Sequence, residues 1–384
     1  MVSLWVRHHG IIGVGSFTQM AEQKTNDIAK YDPNMAVAGI TVADGIKWID
    51  GKRLPIEGRA FDDTDEYYDR LPSGVTESVN AGVRDMKHHT TGLQFRFATG
   101  SHRLVFKWVP RNAGLAMDHM PASGMSGIDV YRFDQDKGCW LYVKTGRITS
   151  SDGATLDIPW TPGTPCIVNL PLYNGIREFS LGVEPDAAVT ALPPRRSGIE
   201  KPVVFYGTSI THGGCASRPG LSFVNIIGRD LDIPVVNLGF SGSGCMEYEM
   251  SEHMARIDAS CYVLDCLWNM GMSADSPRSG RNVDENYEPF IRNLRAKRPD
   301  VPIIMAGQCD VYCGTVTVKE QFTKDLYERL IEEGWTNLHF LPKEGMFADD
   351  LEGTVDGCHP NDHGMLALAK SYGAAVAKAL GMGA

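Results

Sequence analysis

The segment Val203–Gly214 reads VVFYGTSITHGG. Four β-prone or aromatic residues run into Gly207, two small hydroxyl residues follow, and glycines close the segment at Gly213 and Gly214. An apolar run this short, bounded by turn residues, reads as a buried strand. The serine just past it, Ser209, then lies at a strand end and at a helix start, where backbone N–H groups face a negative charge. A hydroxyl in that position becomes a nucleophile only when a base takes its proton.

The pattern around the segment supports a parallel sheet. PVVFYG, PVVNLGF, CYVLDCLWN, VPIIMAGQ and LHFLP are near-continuous apolar runs. Helical segments separate or follow them: SFVNIIGRDL, YEMSEHMARI, ENYEPFIRNLRAKR, KEQFTKDLYERLIEEG and NDHGMLALAKSYGAAVAKAL. Strands buried on both faces and alternating with helices predict an α/β architecture with helices covering both sides. Ligands of such folds bind at the carboxyl ends of the strands. The later strand ends carry the rest of a catalytic set. DGCHPNDHG places Asp356 and His359 in one loop before the last helix, so His359 can act as base and Asp356 can orient it. NLGFSGSG offers the Gly242 N–H and LWNM the Asn269 amide as donors to a developing oxyanion, with the N–H of Ser209 itself.

The first half is different. From about Gly39 to Pro194 it consists of short alternating segments and turns, which predicts an antiparallel sandwich. Three hairpins are expected: LQFRFA with RLVFKWV across TGSH, IDVYRF with WLYVKT across DQDKGC, and CIVNLPLY with IREFSLGVE across Asn174-Gly175. The predicted organisation is a poorly structured leader over 1–38, a β-sandwich accessory domain over 39–194, a linker at 195–198 within LPPRRSG, and the catalytic domain over 199–384.

Composition limits the function. The chain has 384 residues, 43% hydrophobic and 22% charged, which suits a globular protein with a sizeable core. A net charge of −10 argues against nucleic-acid partners, which need clustered Lys and Arg. No apolar run approaches the about 18 residues of a membrane span. The N-terminus lacks a clear cleavage site, so a cytoplasmic location is expected from the residues. Nine cysteines at these spacings match neither a metal framework nor a full disulfide set. His88, His89 and His119 are read as solvated loop residues, His212 as lining the first helix, His363 as structural, and the acidic FDDTDEYYDR as a turn rather than a calcium loop. No metal and no cofactor are therefore expected. MPASGMSG (Met120–Gly127), rich in small residues and methionine, is expected to pack the first half on the second and to wall the site.

These motifs together resemble the SGNH hydrolase superfamily, also called GDSL esterases. YGTSITHG, NLGFSGSG, LWNM and DGCH correspond to its four blocks, with Thr208 in place of the usual aspartate and Trp268-Asn269-Met270 in place of Gly-x-Asn-Asp. LPIEGRAF, YYDRLP, MPASGMSGIDVYRF and LPLYNGI resemble the N-terminal β domain of a bacterial subgroup, whose Gly-x-Asp-Leu-Tyr signature is GIDVY here. The resemblance implies a jelly-roll-like sandwich followed by a flavodoxin-like three-layer α/β/α domain with a five-stranded parallel sheet. It implies Ser209 as nucleophile, Asp356 and His359 as its triad partners, and Ser209, Gly242 and Asn269 as the oxyanion hole. It further implies O-acetyl esters on carbohydrate as substrates, with Trp268 a candidate stacking surface, and admits a secreted or periplasmic location. The alternatives are a carbohydrate-binding module on an inactive scaffold, or a lipase or thioesterase of the same fold. The oligomeric state is left open by the sequence.

Overall fold

In the computed structural model, residues 39–309, 316–347 and 351–382 are described, all within one compact unit that starts at Gly39. The expected leader and Cys313 lie outside the described residues.

In the first half burial alternates along Ile46–Asp50 and Ala154–Pro159, whereas Gln94–Thr99 and Pro165–Asn169 are buried almost throughout. Its strands are β1 (Ile40–Ala43), β2 (Ile46–Asp50), β3 (Ile56–Glu57), β4 (Gln94–Thr99), β5 (Arg103–Pro110), β6 (Ile128–Asp134), β7 (Cys139–Gly146), β8 (Ala154–Pro159), β9 (Pro165–Asn169), β10 (Ile176–Val183) and β11 (Val189–Ala191), with short helices α1 (Ala81–Met86) and α2 (Ala122–Met125). They form two antiparallel sheets, ordered β1-β2-β10-β5-β8 and β11-β4-β9-β6-β7, with β3 also on β4. Phe95, Phe97, Phe106, Trp108, Val130, Val168, Phe179 and Leu181 fill the space between the sheets.

Two expected hairpins are corrected. IDVYRF and WLYVKT pair as β6 and β7. The segments flanking TGSH fall in different sheets, since β4 pairs with β9 and β5 with β10 and β8. The strand pattern is identical in both cases, because each strand turns one face to the same core. The corner decides. Ser101 is buried, its hydroxyl donates to Arg103 O at 2.6 Å, and His102 O and Thr99 O accept from Trp160 N and Gly163 N instead of closing a two-strand turn. Asn174-Gly175 likewise carries the chain from β9 in one sheet to β10 in the other. The Asn174 amide is buried, accepting from Asn112 N at 2.9 Å and donating to Ser126 Oγ at 3.0 Å. Gly175 is needed there because a Cβ would lie 2.3 Å from His88 O, a matter of clearance rather than turn type.

The second half contains β12 (Val203–Gly207), β13 (Val235–Gly239), β14 (Cys261–Asp265), β15 (Ile303–Ala306) and β16 (Leu338–Leu341) in one parallel sheet, ordered β13-β12-β14-β15-β16. Its helices are α3 (Ser209–His212), α4 (Phe223–Asp230), α5 (Tyr248–Arg256), α6 (Val283–Lys297), α7 (Val318–Glu332) and α8 (Asp362–Ala379). Successive β12 residues feed opposite cores. Val204 and Tyr206 join α5, α6 and α7, while Val203 and Phe205 join α4 and α8. Every residue of β12, β13 and β14 is buried, which accounts for the continuous apolar runs.

Buried charge joins the halves. The Arg70 guanidinium, 1% exposed, donates to Asn237 O at 3.0 Å and Gly239 O at 2.9 Å at the end of β13, and to His89 O and Met86 O on its own side. Asp129, the acid of GIDVY, is fully buried. It accepts from Arg218 Nη1 at 2.8 Å, Gly220 N at 2.9 Å and Asn169 Nδ2 at 2.8 Å. Removing one member of a buried ion pair strands its partner. Asp129→Ala is therefore expected to destabilise the folded protein by about 3 kcal/mol, read from the midpoint and slope of a urea unfolding curve. A loss under about 0.5 kcal/mol, the range of ordinary surface substitutions, would show the clamp to be dispensable.

Candidate active site

The carboxyl ends of β12, β13 and β14 converge where Ser209 begins α3. Thr208 caps that helix, its hydroxyl accepting from Ile210 N at 3.2 Å. Ser209 is thus the first helical residue, and its N–H has no carbonyl one turn back to bond within the helix. A glycine precedes this turn because the loops crowd it: a Cβ on Gly207 would lie 2.1 Å from Thr211 Oγ1 and 2.7 Å from Asp265 O.

The structure brings Ser209, His359 and Asp356 into one chain of hydrogen bonds. Ser209 Oγ lies 2.8 Å from His359 Nε2, and His359 Nδ1 lies 2.7 Å from Asp356 Oδ2. The other oxygen of Asp356 accepts the backbone N–H of His359 at 2.7 Å and of Cys358 at 3.0 Å. Partial burial opposes ionisation of Asp356, but the His359 side chain and these two N–H groups outweigh it and hold the carboxyl down at about 2. An ionised carboxylate on Nδ1 keeps the proton there, leaving Nε2 free to accept the serine proton.

Asn269 is buried on a single 3₁₀ turn after β14, and Gly242 lies in the loop after β13 at φ +64°. Asn269 Nδ2 gives one hydrogen to Phe240 O at 3.2 Å and keeps a second. Trp268 is half-buried, and its indole N–H donates to Cys309 O.

Sequence reasoning missed the layer beneath the serine. His212 is fully buried, stacked on Tyr173 with ring centres 4.1 Å apart, and its Nε2 is 3.2 Å from His89 Nδ1. Ser241 N lies 3.3 Å from His212 Nδ1. A backbone N–H can only donate, so Nδ1 accepts, and His212 Nε2 carries the hydrogen that goes to His89. Burial, reinforced by the Arg70 guanidinium, pushes His89 down to about 3 and His212 well below the usual histidine range, so both rings are neutral. Tyr173, from the first half, donates its hydroxyl to Ser209 O at 2.9 Å. Contacts from residues about 36 and 123 positions away leave no local pattern by which they could have been found.

The remaining histidines and acids are also placed. His89 is not solvated, and His88 Nδ1 sits 2.7 Å from Asp69. Glu66, Asp69 and His88 bring possible ligand atoms within 4.8 Å of one another, a juxtaposition the sequence reading did not expect. The acidic turn is covered by cations: Arg59 on Asp62, Arg256 on Asp63, Lys87 on Asp65 and Arg111 on Glu66. His363 is exposed on the first turn of α8, and the eight described cysteines are free thiols. The described residues include no helix long and apolar enough to cross a membrane.

Asp265 closes the floor at the end of β14, accepting the Thr211 hydroxyl at 2.6 Å. Complete burial raises its carboxyl to about 7, with that hydrogen bond only partly opposing the rise. The folded protein therefore holds this proton more tightly than the unfolded chain, whose aspartates titrate near ~3.9. The associated stability is full below that value and is lost as pH rises through about 7. Asp265→Asn removes this titration. Between pH 4 and 8 the stability of the variant is expected to rise steadily relative to the native protein, as measured by urea unfolding at each pH. Parallel curves would mean that Asp265 is ionised throughout.

Similarity to known proteins follows the same two halves. Residues 200–377 match the model of the GDSL-like lipase/acylhydrolase family, and residues 46–189 match the model of the GxDLY N-terminus of SGNH-hydrolase-type esterases. Among solved structures, a protein of Bacteroides ovatus described as a GDSL-like lipase is 28% identical, with a TM-score of 0.73 over 88% of this chain and 98% of that one. A salicylyl-acyltransferase from a tetracycline biosynthetic pathway shares the fold at 17% identity and TM-score 0.67, over 86% and 96% of the two chains. A family two carbohydrate esterase from Clostridium thermocellum, solved with cellohexaose, does so at 14% identity and TM-score 0.55, over 76% and 94%. A search among curated proteins found no match. The chain therefore carries a GDSL-like lipase/acylhydrolase domain over residues 200–377 behind a GxDLY N-terminus of the SGNH-hydrolase-type esterases over residues 46–189.

Proposed function

We propose that the protein is a serine esterase that hydrolyses small-acyl esters, O-acetyl groups on carbohydrate in the first place. The observation that carries this reading is the unbroken hydrogen-bond chain from Ser209 Oγ through His359 to Asp356. Ser209 Oγ attacks the ester carbonyl while His359 Nε2 takes its proton, and Asp356 steadies the imidazolium that forms. The N–H groups of Ser209 and Gly242 and the free amide hydrogen of Asn269 receive the oxyanion. Collapse of the adduct expels the alcohol, protonated from His359, and leaves an acyl-serine. Water activated by the same histidine then releases the acid. No residue in this scheme calls for a metal or organic cofactor. The carbohydrate preference is supported by the fold shared with a family two carbohydrate esterase, and Trp268 is the proposed stacking surface for a sugar ring. The domain organisation of the proposal keeps a β-sandwich over 39–194, a linker at 195–198 and the catalytic domain over 199–384.

Ser209→Ala is expected to lower kcat on p-nitrophenyl acetate by about 10⁴ or more and to abolish labelling by a serine-directed organophosphate, with the melting curve retained. Near-native turnover of that variant would refute Ser209 as the nucleophile, whereas absence of turnover by the native protein would favour a binding module on an inactive scaffold. Asn269→Ala is expected to cost roughly 10²–10³ in kcat with KM little changed, because the charge it meets exists only in the transition state. A raised KM at unchanged kcat would make it a ground-state binding residue. A series of p-nitrophenyl esters from acetyl to palmitoyl is expected to favour the shortest, whereas a rise with chain length would replace the acetylesterase reading by a lipase.

A further inference from the structure

A polar hairpin from the β half stands over the catalytic histidine. Met117 and Met120 pair at its base, Met117 N to Met120 O at 2.9 Å and Met120 N to Met117 O at 3.1 Å, leaving Asp118 and His119 as its two-residue tip. Met120 anchors the base. It is 1% exposed and shares a core cluster with Ile210, Cys215 and Ala216 of the hydrolase half. The following segment is fastened to the same half, with Ser123 Oγ donating to Ser217 O at 2.7 Å. The tip itself is exposed, yet the His119 ring centre lies 5.7 Å from that of His359. Among the described residues neither ring nitrogen of His119 has a hydrogen-bond partner. The hairpin, anchored through Met120, thus holds a second imidazole beside the catalytic one.

Proton chemistry says which part of a substrate reaches this place. In the acylation step the carbonyl C–O bond to the alcohol breaks, and the departing oxygen takes from His359 Nε2 the proton that came from Ser209. That oxygen must lie within hydrogen-bond reach of Nε2, about 3 Å. Substituents on the alcohol then extend over the imidazole, and those one or two bonds beyond the departing oxygen arrive at His119. We propose that the Asp118–His119 tip is the leaving-group subsite, in which His119 hydrogen-bonds a hydroxyl next to the departing oxygen of a polyol ester. This rests on the esterase reading above. The β half thereby selects the alcohol, while the hydrolase half handles the acyl group.

The test compares two acetyl esters that share the acyl-enzyme and differ in the alcohol: a monoacetylated methyl glucoside, with hydroxyls beside the ester, and p-nitrophenyl acetate, without them. For His119→Ala the ratio of kcat/KM for the glucoside ester over the aryl ester is expected to fall about five- to tenfold, the effect of one lost hydrogen bond. His119→Gln, which keeps a donor and an acceptor, is expected to restore much of that ratio. Unchanged melting temperatures would show that both variants fold. A ratio within twofold of the native value, or an equal loss on both esters, would overturn the proposal, the latter because His119 would then act through His359 and not on the alcohol. Absence of Ser209-dependent turnover of both esters by the native protein would overturn the esterase reading, and the subsite with it.

Discussion

Two buried charges, exchanged between the halves, constrain everything else. Arg70 enters from the β half and gives its hydrogens to the carbonyls that end β13. Asp129 sits within the β half and takes Arg218 and the N–H of Gly220 from the hydrolase half. Neither charge can be dried without its partners, since an uncompensated buried ion costs several kcal/mol. The halves therefore fold against each other as one unit. Arg70 has a further effect, because its acceptors immediately precede the loop that holds Gly242, and its guanidinium lies 4.5 Å from the Phe240 ring centre. The register of the loop that holds Gly242 is thus fixed by a residue more than 160 positions away.

The same interface supports Ser209. His212 follows Ser209 by one helical turn, and its ring is held between Ser241 N on one side and His89 on the other. Both rings are neutral because burial and the neighbouring Arg70 charge make a proton there expensive. Each hydrogen bond in that chain consequently keeps one direction, and Ser209, the Gly242 loop and the β half share a single arrangement. Above this floor, Asp356 stays ionised and aligned through two backbone N–H groups as well as the imidazole. A hydroxyl–imidazole pair aligned between a neutral base layer and an ionised carboxylate is what the proposed acyl transfer requires.

The β half is therefore more than an appendage. Its Tyr173 donates to the carbonyl of Ser209 itself, and its 117–126 segment lies on the 215–217 loop beside Ser209. A hydrolase domain alone would leave the Gly239 and Asn237 carbonyls, Arg218 and the ring of His212 facing water.

How much of this the sequence contained depends on range. The parallel sheet was legible because strands covered on both faces must be apolar throughout, as β12, β13 and β14 are. The Ser209–His359–Asp356 hydrogen-bond chain was legible because Ser209 follows a strand end and Asp356 and His359 share the loop before the last helix, and in such a sheet ligands bind at the carboxyl ends of the strands. What the sequence could not settle is which strands pair and which side chains meet. Alternation in β4 and β5 is the same whether they form a hairpin or face each other across a core, and only the buried Ser101 corner and its distant partners separate them. Asn174-Gly175 carries the strongest local turn signal in the chain, yet the buried amide is used to tie down the 112 and 126 loops. Periodicity and turn chemistry are properties of a few neighbouring residues and are written in the sequence. Sheet pairing, the His212–His89 layer and the approach of His119 to His359 are set by contacts across the whole unit, and only the tertiary structure decides them.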